Sequence, residues 1–169
     1  MQKVIKSDIL QIIKKQPIVN LYLLENEETF FCGIPLDIKD NWLFLQSLTC
    51  YGENDGILMI YLKYIHQIEF ADKYSKSVLK LWNIKKQRVS KDNTYCKFKF
   101  KEKIGEICEI YLIGSDEFYG KIIDINEHTI TVQKEMGELY PIEFKNICYI
   151  CFDTDDLKWY KESKENEYQ

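Results

Sequence analysis

Apolar and β-branched residues recur at every second position over short runs along most of the chain, and Asn, Asp, Glu or Gly interrupts each run. That is the period of half-buried strands joined by tight turns. In the first half the runs predict strands near residues 18–24, 29–38, 42–48, 57–62 and 66–70. Other stretches switch to helical spacing. Over residues 2–15, Val4, Ile5, Ile9, Ile12 and Ile13 share one face, with Lys3, Lys6, Lys14 and Lys15 at the ends. Over residues 76–90, Val78, Leu81, Trp82 and Val89 form a stripe, and Ser75 is placed to cap the first turn. Asp155 or Asp156 opens a short C-terminal helix through Leu157, Trp159 and Tyr160, beyond which the polar residues 161–169 are expected to fray.

The strand pattern occurs twice. Residues 31–46 (FCGIPLDIKDNWLFLQ) align without a gap with residues 118–133 (FYGKIIDINEHTITVQ), and Phe, Gly, Asp, Ile and Gln keep their places. Upstream, residues 21–24 answer 110–113; downstream, residues 60–70 answer 142–152 after a shorter connection, and residues 79–82 answer 157–160. Such self-similarity predicts a tandem repeat of one supersecondary unit. Gly33 and Gly120 fall inside the second strand of their copies, where a lone glycine marks a sharp bend or a close backbone approach. The segments from Asp37 to Asn41 and from Asp124 to His128 then read as the turns between the second and third strands.

The order of parts, a helix and then five short strands with a glycine-bent second strand and a one-turn link before the fifth, resembles the Sm-like small barrel. The closest local likeness is residues 140–150 (YPIEFKNICYI), which look like the fourth-to-fifth strand passage of bacterial Sm-like RNA chaperones. The resemblance implies a mainly β protein of two tandem five-stranded barrels, at residues 16–72 and 105–154. An N-terminal helix (1–15), a basic helical linker (73–104) and a short C-terminal helix with a frayed tail (155–169) complete it. It also implies RNA as a ligand, with Asp37 and Asn41, and Lys145 and Asn146, near the family's pocket positions. Neither copy has the Arg-Gly pair that often closes that pocket.

Charge sharpens the picture. The chain carries a net charge of −4, yet residues 73–103 hold eleven basic side chains against Asp92 and Glu102, about +9, which leaves about −13 for the rest. Lys80, Lys85, Lys86 and Arg88, with Lys97, Lys99 and Lys101 interleaved among Tyr95, Phe98 and Phe100, make a candidate strip for phosphate or for an acidic partner. The same alternation is that of a half-buried strand, and an acidic barrel pair can neutralise its own basic linker.

The first residues mix charge with apolar positions and form no secretory core, and no eighteen consecutive residues are apolar, so a cytoplasmic protein away from membranes is expected. Six cysteines in that setting read as reduced thiols. One alanine and one arginine among abundant Ile, Lys, Asn and Tyr is the bias of AT-rich coding, as in a low-GC bacterium.

Little in the sequence converges on a reaction. Cys148 and Cys151 have the spacing of a zinc knuckle, but they lie inside a strand with no second ligand pair, so no metal is expected. His66 and His128 have no nucleophile or carboxylate at a recognisable spacing. No cofactor motif is present. The longest turn, with Tyr51, Glu53 and Asp55, has no counterpart in the second copy and, beside Trp42, is a candidate for a partner contact. The expectation is a non-enzymatic interaction or regulatory protein that meets a protein partner through strand edges and loops. The alternative is an Sm-like binder of RNA or other single-stranded nucleic acid that uses the basic linker.

Overall fold

The computed structural model describes residues 13, 15–24, 26–70, 72–86, 100–114, 117–134 and 137–167. The chain is mainly β. Its strands are β1 (Val19–Leu23), β2 (Asn26–Lys39), β3 (Trp42–Leu48), β4 (Asn54–Tyr61), β5 (Ile65–Phe70), β6 (Ile107–Leu112), β7 (Glu117–Ile125), β8 (Thr129–Gln133), β9 (Leu139–Glu143) and β10 (Ile147–Phe152). Helix α1 (Lys73–Lys86) follows β5 and helix α2 (Asp155–Glu167) follows β10. All ten strands belong to one open sheet in the order β5-β1-β2-β3-β4-β10-β6-β7-β8-β9.

This order overturns the two closed five-stranded barrels expected from the sequence. Closing each barrel would require β4 to return to β5 and β9 to return to β10. In the strand order β4 and β10 are neighbours of one another, so the two edges that closure needs are already used. The N-terminal helix expected over residues 1–15 is not among the described elements, and its range lies outside the described residues apart from Ile13 and Lys15.

By contacts the chain falls into two units. The first takes Met1–Asp55 and Met59–Thr94; the second takes Gly56–Leu58 of β4 together with Tyr95–Gln169. In the first, Leu21 of β1 stands opposite Phe31 of β2 and Ile68 of β5. In the second, Ile110 of β6 stands opposite Phe118 of β7 and Ile150 of β10. These are the residues that align in sequence. The β2–β3 register slips between Pro35 and Asp37, and the β7–β8 register slips at the aligned place, between Ile122 and Asp124. Such a bulge bends its strand and increases the local twist.

The glycines in the second strands sit where backbone and side chain come close. A Cβ on Gly33 would lie 2.3 Å from the Gln46 carbonyl oxygen and 2.7 Å from the Leu45 side chain. On Gly120 it would lie 3.2 Å from Val132 and 3.3 Å from the Gln133 carbonyl oxygen, the aligned partners. The turns are shorter than the sequence suggested. β2 runs through Lys39, so Asp37 belongs to the strand, and the reversal is the pair Asp40 and Asn41, both at positive φ (50° and 69°). Two such residues match the twist of a two-residue hairpin.

Both helices are capped earlier than expected, α1 by three positions and α2 by one or two, because the side chain that reaches the free amides lies just outside the helix. Asp72, not Ser75, caps α1: its carboxylate accepts from the Ser75 amide at 2.8 Å and from the Ser75 hydroxyl. Thr154 caps α2, accepting from the Leu157 amide at 3.2 Å. The helices therefore match from Lys73 and Asp155 onward rather than through residues 79–82 and 157–160. α2 also continues to Glu167, beyond the point at which fraying was expected. In the first unit Val78 and Trp82 of α1 pack on Ile18, Cys32 and Leu48, with Ile34 and Leu79 at the margin. In the second, Phe100 packs on Phe144 and Phe152 with ring centroids 5.9 and 6.2 Å apart, and Ile122, Ile130, Ile142 and Ile150 are buried. No helix among the described residues is long and apolar enough to cross a membrane.

Candidate interaction surfaces

Of the basic strip, the described side chains divide between exposed and paired. Lys80 is exposed on α1, whereas Lys85 forms an ion pair with Glu53 at 2.5 Å. Lys101 is exposed in the one-turn helix Phe100–Lys103. Its neighbour Lys103 lies 2.8 Å from Glu106 and 3.7 Å from Asp153, over the Phe152 ring. Lys86 ends α1, and Arg88, Lys97 and Lys99 lie outside the described residues.

The loop expected to reach a partner packs on α1. The Thr49 carbonyl accepts from the Gly52 amide at 2.9 Å, and the Glu53 carbonyl from the Thr49 amide at 3.0 Å. Gly52 abuts the helix, since a Cβ there would lie 2.6 Å from the Trp82 amide nitrogen. Tyr51 at its tip is 68% exposed, Glu53 holds Lys85, and Asp55 already lies within β4. Trp42 is buried against Tyr61, ring centroids 5.0 Å apart. Asp37 accepts from the Ile38 amide at 2.8 Å, and the Asn41 carbonyl accepts from the Leu62 amide at 2.9 Å. Lys145 pairs with Glu143, and the Asn146 carbonyl accepts from the Ile113 amide at 3.2 Å. Asp37 and Lys145 are thus engaged through their side chains, Asn41 and Asn146 through their backbone carbonyls.

The ends of the sheet are a different surface. β5 and β9 terminate the strand order. No residue of β5 is buried, while all six residues of the aligned β10 are. On β5, Phe70 is 39% exposed, and Glu69 accepts from the Tyr22 hydroxyl at 3.0 Å and from the Gln67 side-chain Nε2 at 2.9 Å. On β9, Leu139 is 58% and Tyr140 38% exposed. The Tyr140 hydroxyl donates to Glu138 at 2.6 Å, and that bond to a carboxylate pushes the phenol pKa up. Lys134 stands over both Tyr140 and Phe118, 4.6 and 4.3 Å from the ring centroids, a cation held between two aromatic faces.

The sequence reading did not single out these two strands. The signal was there: β5 reads Ile-His-Gln-Ile-Glu-Phe where β10 reads Ile-Cys-Tyr-Ile-Cys-Phe. A near-continuous apolar run marks a strand covered on both faces, and polar substitutions at alternate places mark one that is not.

The remaining candidate chemistry is dispersed. Cys148 and Cys151 are both buried in β10. Burial pushes the thiols of Cys32 and Cys108 up to about 12, which keeps them protonated. Tyr149 stacks on Tyr111 at 5.1 Å and donates to Glu117; burial, then that bond, pushes its phenol well above the ordinary range. His66 is exposed on β5, and His128 is exposed in the β7–β8 turn, where its carbonyl accepts from the Phe144 amide at 2.9 Å. Among the described residues no three His, Cys, Asp or Glu side chains gather as a metal site. No protein-family model and no curated protein matches the chain.

Proposed function

We propose that this chain is a non-enzymatic interaction protein, built by duplication of one five-stranded unit, that takes up an extended segment of a protein partner along the terminal strands of its sheet. The observation that carries the reading is the difference between β5 and β10, aligned strands of which one is wholly buried and the other has no buried residue. A terminal strand with exposed apolar side chains is the template for strand addition, in which main-chain hydrogen bonds give affinity and alternate side chains give specificity. Matching registers in the two units support the duplication. Thiols at Cys32, Cys50 and Cys108 fit a reducing compartment such as the cytoplasm.

A photo-crosslinking residue placed at Phe70 or at Tyr140 tests this in the native host. The expected product at either position is a peptide from an apolar, β-branched segment, with no product from the same probe at Lys80. Crosslinks to nucleic acid at Lys80 and none at the sheet ends would reverse the reading. So would an electrophoretic shift of single-stranded RNA that weakens steeply with salt, because phosphate binding releases counterions and strand addition does not.

A further inference from the structure

We infer that the outer face of helix α1 is a docking seam for an acidic amphipathic helix of a protein partner. The seam belongs to a helix and not to the terminal strands, so it adds a second kind of partner segment to the one proposed above.

Helix α1 has two apolar faces. Val78 and Trp82 point into the core with Ile18, Cys32 and Leu48. Tyr74, Leu81 and Ile84 lie on another side and are 38%, 39% and 41% exposed. With Ser77 they recur at intervals of three, four and three residues, the a and d positions of a heptad. At the helical rise the row from Tyr74 to Ile84 is about 15 Å long, which accommodates about three turns of a second helix. Ser77 donates its hydroxyl to the Lys73 carbonyl at 2.9 Å, so this small side chain leaves room for a large one from the partner.

The apolar surface continues beyond the helix. Phe30, itself exposed, meets the Tyr74 ring edge-on at 5.3 Å, and Tyr22 lies 5.3 Å from Phe30. Toward the other end Gly52 abuts Leu81, which sets exposed Tyr51 beside the row. Scattered exposed apolar residues are ordinary, whereas a contiguous row marks a binding surface.

Charge selects the occupant. Lys73 and Lys80 are exposed at the two g positions, and Lys76 is exposed beyond them. The opposite flank is closed, since its e positions are buried Val78 and Lys85, which pairs with Glu53. Side chains at e and g decide which helix is accepted, so the partner brings acids seven residues apart along one flank to meet Lys73 and Lys80. Segments of this chain do not supply them. Residues 2–15 carry Lys3, Lys6, Lys14 and Lys15 against Asp8, and residues 87–99 carry Arg88, Lys91, Lys97 and Lys99 against Asp92, so both repeat the charge of the seam. On α2, Leu157 is buried and Tyr160 stacks on Tyr119, which leaves Trp159 without an apolar row around it.

The test uses the full chain and two designed peptides of three heptads, both with Leu at a and d, one with Glu and the other with Lys at e and g. Like charges keep each peptide from pairing with itself. In anisotropy titrations the glutamate peptide should bind, more weakly as salt rises, and the lysine peptide should bind at least about tenfold less tightly. Leu81→Gln should weaken the glutamate peptide about tenfold. A chain carrying both Lys73→Glu and Lys80→Glu should prefer the lysine peptide. Far-UV circular dichroism establishes that each variant folds, and Ile84→Gln replaces Leu81→Gln if the latter does not. No binding of the glutamate peptide, equal binding of the two, indifference to Leu81→Gln, or no reversal in the doubly substituted chain overturns the inference. Cosedimentation with phosphatidylserine vesicles that Leu81→Gln abolishes, without peptide binding, would also overturn it and give the face to a membrane. A photo-crosslinking residue at Ile84 carries the test to the native host, where a product lacking an acidic heptad sinks the proposal. Lys80 cannot carry that probe, because its replacement removes one of the two cations that hold the helix.

Discussion

At the scale of single residues, the same side-chain type does different work according to how closely its neighbours approach. Gly33 and Gly120 align, yet a Cβ would meet a backbone carbonyl oxygen at 2.3 Å in one and 3.3 Å in the other. Gly33→Ala is expected to cost about 1–3 kcal/mol, as overpacking does, and Gly120→Ala distinctly less, in denaturant titrations of the two variants. Asp72 is the titrating residue whose effect on stability has a clear sign. The Ser75 hydroxyl and amide hold its carboxyl below the ordinary carboxylate range. Its contribution is present above the unfolded-state pKa and disappears as pH falls through the lower folded-state value. Melting temperature should therefore fall on acidification through that range, by a component that Asp72→Asn removes. The cysteines divide by access. Alkylation of the native protein at mildly alkaline pH, read by peptide mass spectrometry, should label exposed Cys50 and spare Cys32 and Cys108 until the chain is unfolded.

At the scale of elements, the alternating pattern was enough to place strands two and three of the first copy closely, because period-two alternation with β-branched residues is a local signal. Boundaries moved where the deciding contact is a side chain outside the element. Asp72 and Thr154 cap the helices, and the residues proposed for that task lie inside the first turn. Helix α1 is held by a narrow apolar stripe, of which Trp82 is the largest member and is 7% exposed. Trp82→Ala should cost about 3–5 kcal/mol by equilibrium unfolding. It should also loosen residues 49–53, whose Gly52 abuts the Trp82 amide. Amide exchange at Gly52 and Glu53 provides the measurement, and unchanged exchange there would sever the link between loop and helix.

At the scale of the whole molecule, the decisive fact is which strand lies beside which. Alternation reports that a strand has two faces and says nothing about its edges, so it could not distinguish a sheet closed on itself from an open one. Gly56 marks the place where that choice was made: it has φ +76° and lies so close to Phe152 that any Cβ would overlap the carbonyl oxygen. Gly56→Ala combines an unfavourable backbone conformation with that overlap and is expected to lower stability by about 1–3 kcal/mol, or more if β10 cannot shift. Calorimetry of the variant checks it, and an unaltered melting temperature would show that β10 gives way freely.

The sequence by itself determined the alternation of apolar positions, the existence of most strands, the helices after β5 and β10 and the place of the close-approach glycines. All of these follow from residue types within a few positions of one another. The tertiary structure alone decided that the sheet is open, that Trp42 is buried, that Lys85 and Lys103 are engaged by acids, and that β5 and β9 end the sheet. Those outcomes depend on edges and charges brought together from distant parts of the chain. The proposed interaction surface lies in that second group: Phe70 is an ordinary strand residue until its aligned partner, Phe152, is found covered.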